Sequence, residues 1–123
     1  MNGKLIKAVI WVESKNKPLA KSLRGARGLM QITKPALTDY NAYHKTTYTV
    51  DDLYNPNVNL KIGKWYLLKR CPQLLRAHGI PVTLDNILWT YNAGIGRVIK
   101  GIMPKETEDY IKRVKKRLKY DKK

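Results

Sequence analysis

Residues 13–32 read ESKNKPLAKSLRGARGLMQI, and the fold turns on this stretch. Its first residue, Glu13, ends an apolar run, and the residues after it cannot continue a helix. Pro18, Gly25 and Gly28 break regular structure between Asn16 and Lys34. Upstream, Leu5, Ala8, Val9 and Val12 recur at helical spacing, with Ile6, Ile10 and Glu13 on an adjacent stripe. The spacing predicts a first helix with Glu13 near its end, on an edge of the apolar face. Glu13 is the only carboxylate in the first 38 residues, amid eight Lys and Arg. On periodicity alone it reads first as an ion-pair partner.

Working outward, the pattern stays helical. Pro35 can open a short helix through Tyr40, whereas residues 41–54 show no apolar period and read as a long excursion. Within it, residues 43–50 could extend locally, without the alternation that would argue for a sheet. Asn55-Pro56 is a helix start, a capping side chain followed by a proline whose missing N–H costs nothing in the first turn. Val58, Ile62, Trp65 and Tyr66 continue an apolar face from it. Thr83 is expected to cap a helix carrying Ile87, Leu88 and Tyr91, which Asn92-Ala93-Gly94 ends. Pro104 precedes a final helix with Glu106, Glu108 and Asp109 at its start and Lys115, Lys116, Arg117 and Lys119 at its end, the order the helix dipole prefers.

The 123 residues are read as a single domain, residues 1–123, with a basic C-terminal helix and tail over about 105–123. Eight Tyr, three Trp and no Phe supply apolar rings with polar handles, which serve a core rim and also suit sugar faces. A formal charge of +16 favours polyanionic surroundings: nucleic acid, acidic lipid, or the anionic polymers of a bacterial wall. The lone Cys71 precludes an internal disulfide and reads as a structural thiol. His44 and His78 have no metal-ligand spacing, and there is no Gly-rich phosphate loop, so neither metal nor cofactor is expected. No segment reaches the about 20 apolar residues of a membrane span. The start, Met1–Lys7 then Ala8–Val12, imitates a signal sequence but breaks at Glu13 without a cleavage site.

Three blocks in order carry a family resemblance. Glu13-Ser14 is followed by Pro18, Ala20 and Ser22 and then by Gly25-Ala26-Arg27-Gly28-Leu29-Met30-Gln31-Ile32. Tyr91-Asn92-Ala93-Gly94 comes next, with Gly96 and Val98, and then Pro104, Glu106-Thr107, Tyr110 and Val114. Together they resemble the soluble lytic transglycosylases, across residues 5 to 114. The resemblance implies a mainly α, lysozyme-like fold of about six to eight helices around a glycan-binding cleft, with little or no sheet. It also implies cleavage of the glycan strands of peptidoglycan between N-acetylmuramic acid and N-acetylglucosamine.

In that family one glutamate, here Glu13, protonates the glycosidic oxygen and then deprotonates the sugar's own O6. The N-acetyl group stabilises the developing charge, and a 1,6-anhydro ring closes without water. A second carboxylate, which other glycosidases place roughly 5–9.5 Å from the first, is not required. By position, Ser22 matches the serine that meets the N-acetyl or O6 region, and Gln31 a donor and acceptor for sugar amides. Tyr91 matches the tyrosine that approaches the carboxylate, Glu106 a cleft glutamate, and Asn92 a residue holding the turn beneath. Met30 reads as core before cleft and is kept among the substrate-side candidates.

Acid catalysis requires a protonated Glu13 although the surrounding cations favour the ionised form. Desolvation by Ile10, Trp11, Met30 and Tyr91 is expected to prevail. Three positions differ from the family pattern and bear on subsite contacts: Asn16-Lys17 before Pro18, Lys34 before Pro35, and Thr90 before Tyr91.

Rival readings are a muramidase that uses water, as goose-type lysozymes do, and a non-catalytic wall-binding protein on the same scaffold. Nucleic-acid binding through the tail Lys112–Lys123, with eight cations and one acid, is the third, but no recognition motif supports it. A solvated helix face that holds the enzyme on anionic wall polymers or lipids is the simpler account of the tail. The expected state is a monomer, made in the cytoplasm and reaching the wall without a signal peptide, as a phage lysin or virion-carried enzyme would.

Overall fold

The computed structural model describes residues 2–121, so Lys122 and Lys123 of the basic tail lie outside the described residues. The fold is mainly α and consistent with a lysozyme-like architecture. Among the described residues there is no strand, only isolated bridges from Arg27 to Lys21 and to Ile32. The helices are α1 (Asn2–Ser14), α2 (Lys34–His44), α3 (Pro56–Trp65), α4 (Cys71–Ala77), α5 (Leu84–Ala93), α6 (Ile95–Ile99) and α7 (Lys105–Asp121). A 3-10 turn, Val50–Tyr54, precedes α3, and a π turn, Tyr66–Arg70, comes after it. The π turn is explained by Pro72. A proline ring collides with the carbonyl one turn back, and a wider turn upstream makes room.

Two compact units emerge, one built from Val9–Tyr66 and the other from Leu67 onward together with the start of α1. In the first, Val9, Ile10, Met30, Ile32, Leu37, Leu53 and Ile62 are buried, and α3 packs on α2 and on the 3-10 turn. In the second, α5 packs on α4, α6 and α7 around Leu75, Leu88, Val98 and Val114. Full burial of each such side chain contributes about 1.5–3 kcal/mol of transfer free energy. Cys71 is fully buried in the second unit, as a structural thiol should be.

Capping explains the boundaries. Asn55 Oδ1 accepts from the backbone of Asn57 and Val58, and Thr83 Oγ1 accepts from Asn86, so α3 and α5 start where their caps predict. Gly94, at φ +91°, ends α5. α2 departs from expectation. It begins at Lys34, capped by Thr33, and runs on to His44, where Lys45 turns left-handed at φ +53°. Part of the expected excursion is therefore helix. Tyr40, buried just before that extension, stacks on His44 within it and meets Trp65 edge-on, contacts that no local pattern encodes.

Candidate active site

Helix α1 buries Ile6, Val9 and Ile10 together with Ala8, leaving Leu5 and Val12 half-exposed. The buried stripe thus takes Ile6 and Ile10 from one sequence stripe and Ala8 and Val9 from the other. Glu13 lies three and four residues beyond Ile10 and Val9, so it continues that stripe and is half-buried at its end. Trp11, expected to desolvate it, is two residues away, roughly 200° around the helix. The Trp11 side chain is 37% exposed, whereas Val9 and Ile10 are buried.

Ser14 faces inward, its hydroxyl donating to the Ile10 carbonyl at 3.1 Å. Lys15 and Asn16 then both adopt left-handed backbone, at φ +53° and +64°, and turn the chain off the helix directly after Glu13. Asparagine tolerates that region; lysine does so at some cost.

The loop after this turn is tied to itself. Ser22 accepts the Ala26 N–H on its Oγ at 3.0 Å, and its own N–H donates to the Ala26 carbonyl at 2.9 Å. The hydroxyl proton of Ser22 has no acceptor among the described residues. Arg27 and Ile32 exchange both backbone bonds at 3.0 Å. Gln31, left-handed at φ +51°, directs its amide nitrogen back to the carbonyls of Gly28 (2.9 Å) and Ala20 (3.1 Å). Its donors are spent inside the loop. Only its Oε1 is without a donor among the described residues.

Met30 lies in the core, the first of its two sequence readings. Its side chain is wholly buried and packs against Gly63, where a Cβ would overlap its sulfur. It supports the loop from within and offers no surface to a ligand.

The residue that fixes this loop to the scaffold is Asn59, fully buried on α3. Its Oδ1 accepts the Met30 N–H at 2.8 Å, and its Nδ2 donates to the carbonyls of Arg27 and Leu53, each at 2.9 Å. Gly28, at φ +81°, lies so close to Asn59 and the Leu53 carbonyl that no Cβ fits. Asn59 was missed in the sequence although a signal existed: a polar residue on the apolar stripe of α3, three and four residues before Ile62 and Gly63. Arg27 is held from outside, 3.5 Å from Asp51 and over the Tyr54 ring. Asp52 caps the 3-10 turn through the N–H of Thr49. Two of the three other acids in this unit are thereby engaged in structure.

The remaining candidates belong to the second unit. Tyr91 and Asn92 lie in the last turn of α5, both half-buried, and Glu106 is exposed in the first turn of α7. Asn92 Oδ1 accepts the hydroxyl of Thr107, itself buried, at 2.8 Å, tying the end of α5 to the start of α7. That bond fixes the residue next to Glu106 and the residue after Tyr91. Thr90, the departure before the motif tyrosine, is fully buried and satisfied by the Asn86 carbonyl at 2.7 Å. Both histidine rings bond carbonyls one turn back, Tyr40 for His44 and Leu74 for His78.

The family model described as transglycosylase SLT domain matches residues 1–114. The chain is similar to the membrane-bound lytic murein transglycosylase E of Buchnera aphidicola subsp. Acyrthosiphon pisum (strain APS), with 41% identity over 71 residues. The aligned stretch covers 54% of this chain and 32% of that relative, so the chain spans only a minor part of the relative's length.

Proposed function

The chain belongs to the transglycosylase SLT domain family, and we propose that residues 1–123 form one catalytic domain cleaving peptidoglycan glycan strands with Glu13 as sole acid and base. The observation that carries this reading is the placement of Glu13. It is half-buried at the end of an apolar stripe, directly before the left-handed exit into a loop that Asn59 and Gln31 hold rigid.

In the first step Glu13 gives its proton to the glycosidic oxygen as the bond to C1 of the muramic residue breaks. The N-acetyl oxygen stabilises the positive charge at C1, the part a second carboxylate plays elsewhere. Glu13, now ionised, takes the proton of the C6 hydroxyl as O6 bonds to C1. The products are a 1,6-anhydro end and a free 4-hydroxyl on the leaving sugar; no water is consumed, and Glu13 regains its proton.

The donors and acceptors left over are compatible with the supporting roles that the resemblance implies. Ser22 keeps a hydroxyl proton for the N-acetyl or O6 oxygen. Gln31 Oε1 accepts from a substrate N–H or hydroxyl. Tyr91 and Glu106 keep the substrate-side roles that the family resemblance implies, with Asn92 holding the turn that carries Tyr91. The substrate is anionic peptidoglycan, to which a +16 chain is drawn.

Glu13→Gln keeps size and hydrogen-bonding shape while removing the proton. Clearing of purified walls is expected to fall by about 10³-fold, within the span general acid–base groups supply, with helix content and melting unchanged. Full activity in that variant rejects the proposal.

A further inference from the structure

The catalytic reading leaves one side of α7 unused. A groove of about 390 Å³ runs along it, with Ile111 and Met103 contributing apolar surface and Lys112, Lys115, Lys116 and Lys119 contributing charge. Lys112 is paired with Glu108 and Lys115 with Asp85, each at 3.0 Å. Lys116 and Lys119 have no acidic partner among the described residues. The groove therefore holds positive charge in excess, with two ammonium groups open to an anion.

Beside it the end of α6 and the loop after it expose large aliphatic side chains. Ile99 and Ile102 are each 50% exposed and Met103 38%. The loop is fixed: the Trp89 indole donates to the Ile102 carbonyl at 3.0 Å, and the Ile102 N–H donates to the Arg97 carbonyl at 2.9 Å. Gly101 makes the turn at φ +70°. A rigid loop that keeps three aliphatic groups in water loses transfer free energy unless something apolar covers them.

Lysines flanking a fixed aliphatic tip are the chemistry of a lipid interface: ammonium groups meet phosphates while apolar groups enter the acyl boundary. An anionic wall polymer offers the phosphates without an apolar phase, so it accounts for the lysines and leaves Ile99 and Ile102 unused. We propose that the α7 groove and the segment 99–103, the end of α6 and the loop after it, dock this unit on an anionic phospholipid surface, with a lipid phosphate at Lys116 and Lys119. The contact is superficial, since among the described residues no helix is long and apolar enough to cross a membrane. The proposal stands independently of the catalytic role of Glu13.

The test is sedimentation of the full chain with phosphatidylglycerol-rich vesicles, with pure phosphatidylcholine vesicles, and with purified poly(glycerol phosphate). Wild-type protein is expected to bind the anionic vesicles, with steep salt dependence, and not the neutral ones. Lys116→Ala/Lys119→Ala and Ile99→Ser/Ile102→Ser alter exposed side chains, and melting curves confirm that both fold. Each pair is expected to lower vesicle partitioning by about tenfold, the lysine pair also flattening the salt dependence. Vesicle binding unchanged in either pair overturns the proposal. So does poly(glycerol phosphate) binding as tight as vesicle binding, with the isoleucine pair behaving like wild type on both.

Discussion

Asn59 Oδ1 accepts the backbone N–H of Met30 at 2.8 Å, joining residues 29 positions apart. One buried amide thus satisfies a donor and two acceptors of the loop and the 3-10 turn, using all of its own groups but one lone pair. The Gly-Leu-Met-Gln turn keeps its shape because α3 reaches into it.

Asn59→Ala removes three bonds and strands the Met30 N–H inside the core. Leaving a buried polar group unpaired costs about 1–3 kcal/mol, so the variant is expected to lose about 3 kcal/mol or more. Urea denaturation measures it. Asn59→Asp should not rescue, because it sets carboxylate oxygens against the carbonyls of Arg27 and Leu53. A loss below about 1 kcal/mol in both variants contradicts this role.

Gly63 and Met30 are expected to be coupled. A Cβ at Gly63 overlaps the Met30 side chain, so Gly63→Ala should destabilise by about 1–3 kcal/mol through overpacking. Met30→Ala creates a cavity of its own, yet it removes part of the obstruction. A double-mutant cycle should therefore give a cost smaller than the sum of the two; simple additivity would count against the contact.

Asn92→Ala leaves the hydroxyl of Thr107, which is only 1% exposed, without its partner. A loss of about 1–3 kcal/mol is expected. Thr107→Val should cost less, since half-exposed Asn92 can turn to water. The double variant should resemble the worse single, and thermal melts of all three decide it.

Glu108 supplies a pH signature. The hydrogen bond from Lys112, then the charges of Lys112 and Lys105, hold its carboxyl below the usual range. A depressed folded value means stability that is present above the ordinary glutamate pKa of about 4.3 and lost as pH falls through the lower folded value. Glu108→Gln is expected to melt slightly below wild type at neutral pH, and the two curves to converge as pH falls through the lowered folded value. A gap that persists in acid shows that the ion pairs are not its cause.

What the sequence disclosed divides along physical lines. Caps and breakers act locally, so Asn55, Thr83 and Gly94 marked their boundaries correctly. The end of α2 was misplaced because Tyr40, His44 and Trp65 stabilise it from across the chain. In α1 the buried face draws on both apolar stripes, and only tertiary packing fixes which residues of each are covered. Met30 shows how a motif residue can belong to the core. Asn59 was readable as a polar interruption of an apolar stripe, though its partners were not, and the groove on α7 is made of lysines that in sequence look like any solvated tail.

Glu13 is proposed to close an anhydro ring using the sugar's own O6. Mass spectrometry of the muropeptides released from purified walls by the wild-type chain tests it most directly. The account predicts 1,6-anhydro-muramic ends, one water lighter than reducing ends, and their absence with Glu13→Gln. Reducing ends from the wild-type chain would contradict it and identify a hydrolase.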